Sequence, residues 1–89
     1  MYRLVTIKDQ LPERKFQTNT GEASAIDIVI DDGLNQFVAT AFDKVALELA
    51  AHPLPIGGCY AVDLSFKVNQ KDGRYFQSVR CVNIRKYGI

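Results

Sequence analysis

Eighty-nine residues, 47% of them hydrophobic and 24% charged, make one ordinary globular domain, too apolar for a disordered chain and too short for a second core. A net charge of +1 excludes a protein that is strongly basic or acidic as a whole, and no apolar run approaches the ~20 residues of a membrane-crossing helix. The charge is unevenly spread, however: residues 1–52 hold five Lys/Arg against eight Asp/Glu, whereas residues 53–89 hold six against two.

The opening MYRLVTIKDQ alternates in character and forms no apolar block behind a basic end, so no export signal is expected. Cys59 and Cys81 are therefore expected as reduced thiols in a cytoplasmic protein. Tyr2 to Leu11 reads as a first strand that Pro12 ends. Residues 12–25 are polar, with Pro12, Asn19 and Gly21, and predict a loop or the flexible arm of a long hairpin. Ile26, Ile28 and Ile30 recur at period two, the pattern of a strand with one buried face, and Asp31-Asp32-Gly33 turns the chain. Gln36 to Phe42 is a third strand with apolar residues on both faces. Asp43 is placed to cap a helix over 44–51, which is so short and apolar that it must plug a core. Pro53 and Pro55 stop it, and Gly57-Gly58 opens the next turn.

The segment 59–88 predicts two long strands joined at Asp72-Gly73, a pair that tolerates the positive φ angles of a two-residue hairpin turn. Tyr60 and Phe66 share a face with Val62, Leu64 and Val68 and read as core, as does Phe37. Tyr75 and Phe76 are adjacent, so alternation turns them to opposite faces, one into the core and one outward. Arg80 stands between Val79 and Cys81 and points out. Three strands, a short helix and two strands are the plan of an all-β, five-stranded Greek-key OB-fold barrel with its helix between strands 3 and 4, spanning residues 1–89 as a single domain.

Lys67, Lys71, Arg74, Tyr75, Phe76 and Arg80 interleave cations with flat rings around the hairpin turn, the chemistry that holds a phosphate backbone while stacking its bases. Such contacts predict steep salt dependence without base readout. Arg14, Lys15, Lys71, Arg74 and Arg80 are the candidate phosphate contacts, and Phe16, Phe42, Tyr75 and Phe76 the candidate stacking rings. Each has a plainer reading as a solvated charge or a packed ring, and for Phe42 packing under the helix competes with stacking. One histidine and two distant cysteines give no zinc-ligand spacing, and no nucleophile–base pairing or phosphate loop occurs. No enzyme activity, metal, cofactor or small-molecule substrate is expected.

The wording GGCYAVDLSFKV, residues 57–68, carries G-x-Y-x-V-x-L-S followed by F-K-V, and with the hairpin after it resembles the C-terminal part of the small single-stranded-DNA-binding, helix-destabilising proteins of filamentous phages. FVATAFDKVALELA, residues 37–50, is similar to the strand-into-helix passage of bacterial single-stranded-DNA-binding proteins. These resemblances imply an OB-fold that coats single-stranded DNA during replication as a homodimer or higher oligomer, without sequence preference and without chemistry, in the host cytoplasm if a phage encodes it. They also imply that residues 13–25 form a DNA-gripping arm, where this chain offers Arg14, Lys15 and Phe16 and then Glu22 and Ser24. Phe42 falls where the bacterial proteins place a stacking ring. The ring that the resemblance expects at the last hairpin's tip is replaced by Lys71, leaving Tyr75 or Phe76 for that task. RNA in place of DNA remains open, as does a second function: a protein-interaction or oligomerisation module without nucleic-acid binding, favoured by the near-zero net charge and the acidic second strand.

Overall fold

The computed structural model describes residues 2–86, which form six strands and one helix. These are β1 (Tyr2–Gln10), β2 (Arg14–Thr18), β3 (Gly21–Asp31), β4 (Gln36–Phe42), α1 (Asp43–Ala51), β5 (Cys59–Lys71) and β6 (Arg74–Lys86). Five of the strands close a barrel in the order β1-β5-β6-β4-β3, with β3 returning to β1. All pairings are antiparallel except β4 with β6, which run parallel through Thr40↔Arg80 and Ala41↔Cys81.

β2 is the element beyond the predicted five. It pairs with the first half of β3 from Arg14↔Ala25 to Thr18↔Gly21, so the polar stretch is a hairpin arm, one of the two forms its composition allowed. The core lies where the period-two pattern put it. Val5 and Ile7 from β1, Ile26, Ile28 and Ile30 from β3, Ala39 and Ala41 from β4, and Val62, Leu64 and Cys81 from the last hairpin are all buried. Register slips beside Lys8 in β1 and Val82 in β6 leave one unpaired residue each, the kind of bulge that bends a strand toward closure.

α1 packs across β3, β4 and β6 with Ala46 and Leu49 buried, which is the plug that its length and apolarity required. The Asp43 cap did not form. Phe42, the last residue of β4, occupies the cap position with extended φ/ψ, no side chain caps the helix, and Asp43 turns the chain with a φ of 51°. The reason is spatial: β4 runs straight into α1 with no intervening residue, so a left-handed conformation that Asp tolerates makes the corner.

β5 and β6 have 13 residues each, against 9 in β1 and 7 in β4. At a rise of ~3.3 Å per residue such a strand spans about 43 Å, and the molecule measures 43 × 29 × 20 Å. β1 accompanies β5 only as far as Asp63, so the distal half of the hairpin projects alone. Its turn has positive φ at Asp72 (53°) and Gly73 (76°), as a two-residue connection of this twist demands. Phe66 is therefore not core: it follows the inward row of Val62 and Leu64, but past the barrel's end, and is 42% exposed.

Candidate nucleic-acid interface

Strand alternation sorts the candidate residues onto two sides of the sheet. On β4 the buried row is Ala39 and Ala41, so Thr40 and Phe42 face outward. The pairings Ala25↔Phe42 and Arg14↔Ala25 carry that outer side across β3 to the arm, and Phe16 lies two residues beyond Arg14 on it. Thr40↔Arg80 carries it to β6, where Ser78, Phe76 and Arg74 alternate outward in turn. The opposing β5 residues on this side are Ser65, Lys67, Asn69 and Lys71. A hydrogen bond from Asn69 Nδ2 to Ser78 Oγ, 3.1 Å, ties the two strands there.

Two patches result. In the first, the rings of Phe16 and Phe42 meet edge to face with centroids 6.4 Å apart, and the Arg80 guanidinium lies over Phe42 at 5.4 Å. Phe42 is thus held on the outer side and not under the helix. Arg14 stands beside it, its guanidinium donating to Asp27 Oδ1 at 3.0 Å, while Thr40 Oγ1 donates to the same oxygen at 2.7 Å. Asp27 so links arm, β3 and β4, fixing the angle at which the arm presents Phe16. The second patch is the hairpin tip, where Lys71, Arg74 and Phe76 line one open hollow with Asp72. Phe76 and Arg80 are four residue steps apart along β6, about 13 Å of strand.

Two candidates fall elsewhere. Lys15 pairs with the buried Ser24, which puts it on the reverse of the arm, 3.7 Å from Glu22 Oε1. Tyr75 lies opposite Gln70 on the reverse of the tip. The expectation that one of Tyr75 and Phe76 is core is corrected: they are 72% and 51% exposed, because no third strand covers the projecting hairpin on either side.

The reverse side also holds a group that sequence reasoning missed. Phe37 and Phe66 approach at 6.1 Å in a tilted arrangement, and the Arg3 guanidinium lies 5.0 Å over Phe66. Arg3 also donates to Asp32 Oδ2 at 3.1 Å. The available signal was strand length, since a hairpin longer than its barrel partners must uncover part of its inward row.

Two titrating groups are shifted by their surroundings. Hydrogen bonds from the backbone N–H groups of Asn35 (2.7 Å) and Leu34 (3.0 Å), aided by Arg3, hold the Asp32 carboxyl below its ordinary value of 3.8. A carboxylate with a depressed folded-state pKa stabilises the fold above its unfolded pKa, and that contribution is lost as pH falls through the folded one. Urea midpoints measured from pH 6 to pH 2 are expected to fall less steeply for Asp32→Asn than for the parent. Burial, with the nearby Asp63 charge, pushes the Cys81 thiol up to about 12 although its S–H reaches the Asn83 carbonyl at 3.7 Å. It is therefore protonated and unreactive at neutral pH. Cys59 is exposed, and both cysteines are free thiols. Among the described residues no group of three or more metal-ligating side chains occurs, and no helix is long and apolar enough to cross a membrane.

A five-stranded barrel closed by a parallel pair between its third and fifth strands, with a helix after the third, is an OB-fold. Solved structures share it, among them the following two. The second OB-fold domain of replication protein A from Methanococcus maripaludis superimposes with a TM-score of 0.68 at 16% identity, over 97% of this chain and 81% of that one. The small single-stranded DNA-binding protein from Streptomyces coelicolor gives 0.52 at 15% identity, over 97% and 91%. No family model matches the chain, and no curated protein sequence does.

Proposed function

We propose that this protein binds single-stranded DNA without sequence preference through the outer side of β2, β3, β4, β5 and β6, and performs no chemistry on it. The observation that carries this reading is the alignment of Phe16, Phe42, Arg80, Phe76, Arg74 and Lys71 on one side of the sheet, by the register of five strands, β2 to β6. Exposed rings give bases something to stack on, and cations beside them neutralise the backbone that carries those bases. Both structural neighbours belong to proteins named for single-stranded DNA or its replication, which supports the ligand class. In this reading the protein coats single strands during replication as a phage-type homodimer or higher oligomer, an assembly that sedimentation with and without oligonucleotide tests.

Fluorescence anisotropy with labelled oligo(dT) decides the binding claim. Each phosphate neutralised on a single strand contributes about −0.7 to the slope of log affinity against log salt, so three to five contacts predict a slope of roughly −2 to −3.5. Changing Lys71 and Arg74 together to Ala is expected to flatten that slope by about 1.4. Duplex of the same length is expected to bind more weakly, since stacking needs unpaired bases. Absence of binding at low salt, or binding indifferent to salt, overturns the proposal.

A further inference from the structure

β5 pairs with β1 from Cys59 to Asp63 and, among the described residues, with no strand beyond Asp63 on that edge. The stretch Ser65 to Lys71 therefore has β6 on one side and an open edge on the other. The turn at Asp72-Gly73 sets which backbone groups face that edge. In a two-residue hairpin the flanking pair, here Lys71↔Arg74, exchanges hydrogen bonds, and bonded and non-bonded pairs alternate from there. Gln70, Val68 and Phe66 therefore point their N–H and C=O groups away from β6, at the open edge. Their side chains lie on the reverse side, where Val68 is 67% exposed. Unpaired backbone beside uncovered apolar side chains is a template for another strand.

We propose that the strand it takes is β5 of a second copy, antiparallel and centred on Val68, so that two copies share one sheet about a two-fold axis. The sequence of the edge is its own complement in that register. Pairing about Lys67 would set Lys67 on Lys67, and pairing about Asn69 would set Lys67 on Lys71, like charges directly opposed. Pairing about Phe66 would bring Asn69 to Asp63 of the other copy, where Tyr2 of β1 already sits. About Val68, the edge-directed residues meet as Val68↔Val68 and Phe66↔Gln70, each pair exchanging both N–H···O bonds. Lys67 then faces Asn69, whose amide nitrogen donates to Ser78 and whose oxygen is an acceptor for that lysine, and Lys71 faces Ser65. Asp72 comes level with Leu64, just short of where β1 begins. The axis stands perpendicular to the sheet, so the outer sides of the two copies join and bring Lys67 and Lys71 of both together. This inference assigns the contact of the proposed homodimer and rests on the strand edges alone, so it and the DNA-binding reading can fail separately.

An edge of this length buries no more than the ~1,200 Å² of weak interfaces, so sedimentation velocity of the full chain without oligonucleotide is expected to show a reversible dimer that grows with concentration. Added salt is expected to strengthen it, because lysines of both copies gather near the axis. Salt weakens DNA binding, so the opposite responses separate the two proposals. The Val68 N–H makes no bond inside the hairpin, so Val68→Pro keeps the β5–β6 ladder and blocks the pairing. That variant is expected to stay monomeric while still binding an oligo(dT) that spans one copy. Gln77→Pro, opposite Val68 on the other edge of the hairpin, is expected to dimerise like the parent. In a Cys59→Ser background, Val68→Cys is expected to form an intermolecular disulfide under mild oxidation, the facing Cα atoms being ~5.5 Å apart. Ser65→Cys, which faces Lys71 of the other copy, is expected to form none. A chain that stays monomeric at every concentration and salt, a Val68→Pro variant that dimerises like the parent, or Ser65→Cys crosslinking as readily as Val68→Cys overturns the proposal.

Discussion

Phe42→Ala and Phe76→Ala are each expected to weaken binding of oligo(dT) by roughly 5- to 150-fold, the equivalent of ~1–3 kcal/mol per lost stacking platform. The two rings belong to separate patches, with about 13 Å of β6 between Phe76 and the Arg80 that covers Phe42, so their effects are expected to add in free energy. Phe76 is 51% exposed on a projecting hairpin, and its loss leaves the barrel untouched. Phe42 is more constrained, since it supports both Phe16 and Arg80, and circular dichroism of the variant separates a folding defect from a binding one. Phe66→Ala is the control that assigns the side of the sheet. Its ring lies on the reverse with Phe37 and Arg3, and affinity is expected to stay within about twofold of the parent. A loss confined to Phe66→Ala would move the interface to that side.

Ile28→Ala is expected to lower unfolding free energy by about 2–5 kcal/mol, the usual result of emptying a fully buried aliphatic site. Ile28 has no exposed surface, and β3 pairs there with both neighbours, through Ile28↔Ala39 on β4 and Gln10↔Ile28 on β1. Alanines already occupy the facing positions Ala39 and Ala41, so nothing large stands ready to fill the gap. A domain of this size has roughly 4–13 kcal/mol in total, so much of it disappears, and the thermal midpoint is expected to drop by about 10 °C or more. Urea denaturation checks this through a lower midpoint at an unchanged slope. Val38→Ala, on the outer side of the adjacent strand and 50% exposed, is expected to cost under about 1 kcal/mol. Equal losses at the two positions would contradict the barrel register.

The Ile26–Ile30 alternation, the Asp72-Gly73 turn and the strand–helix–strand order were all legible in the chain, because each rests on local periodicity or on backbone angles that only certain residues accept. The arm was legible only in outline. Gly21 and Asn19 signal a turn, but that Arg14 to Thr18 form a paired strand follows from β3, which supplies the partner hydrogen bonds.

The candidate site divides along the same line. Arg80's outward direction followed from its neighbours Val79 and Cys81, both of which turn inward. Tyr75, Phe76 and Phe66 did not follow, since alternation names two sides of a strand but not whether anything covers either side. Coverage depends on where β1 and β4 stop relative to a hairpin of 13-residue strands, which is a relation between distant segments. The meeting of Phe16, Phe42 and Arg80, from three strands far apart in sequence, has the same origin. By itself, then, the sequence determined the five barrel strands, the helix, the barrel plan and the basic hairpin, because those are set by residues within a few positions of one another. Only the tertiary structure decided which rings and cations share a side, and that Lys15 and Tyr75 leave it, because these depend on strand register and on what lies across the fold.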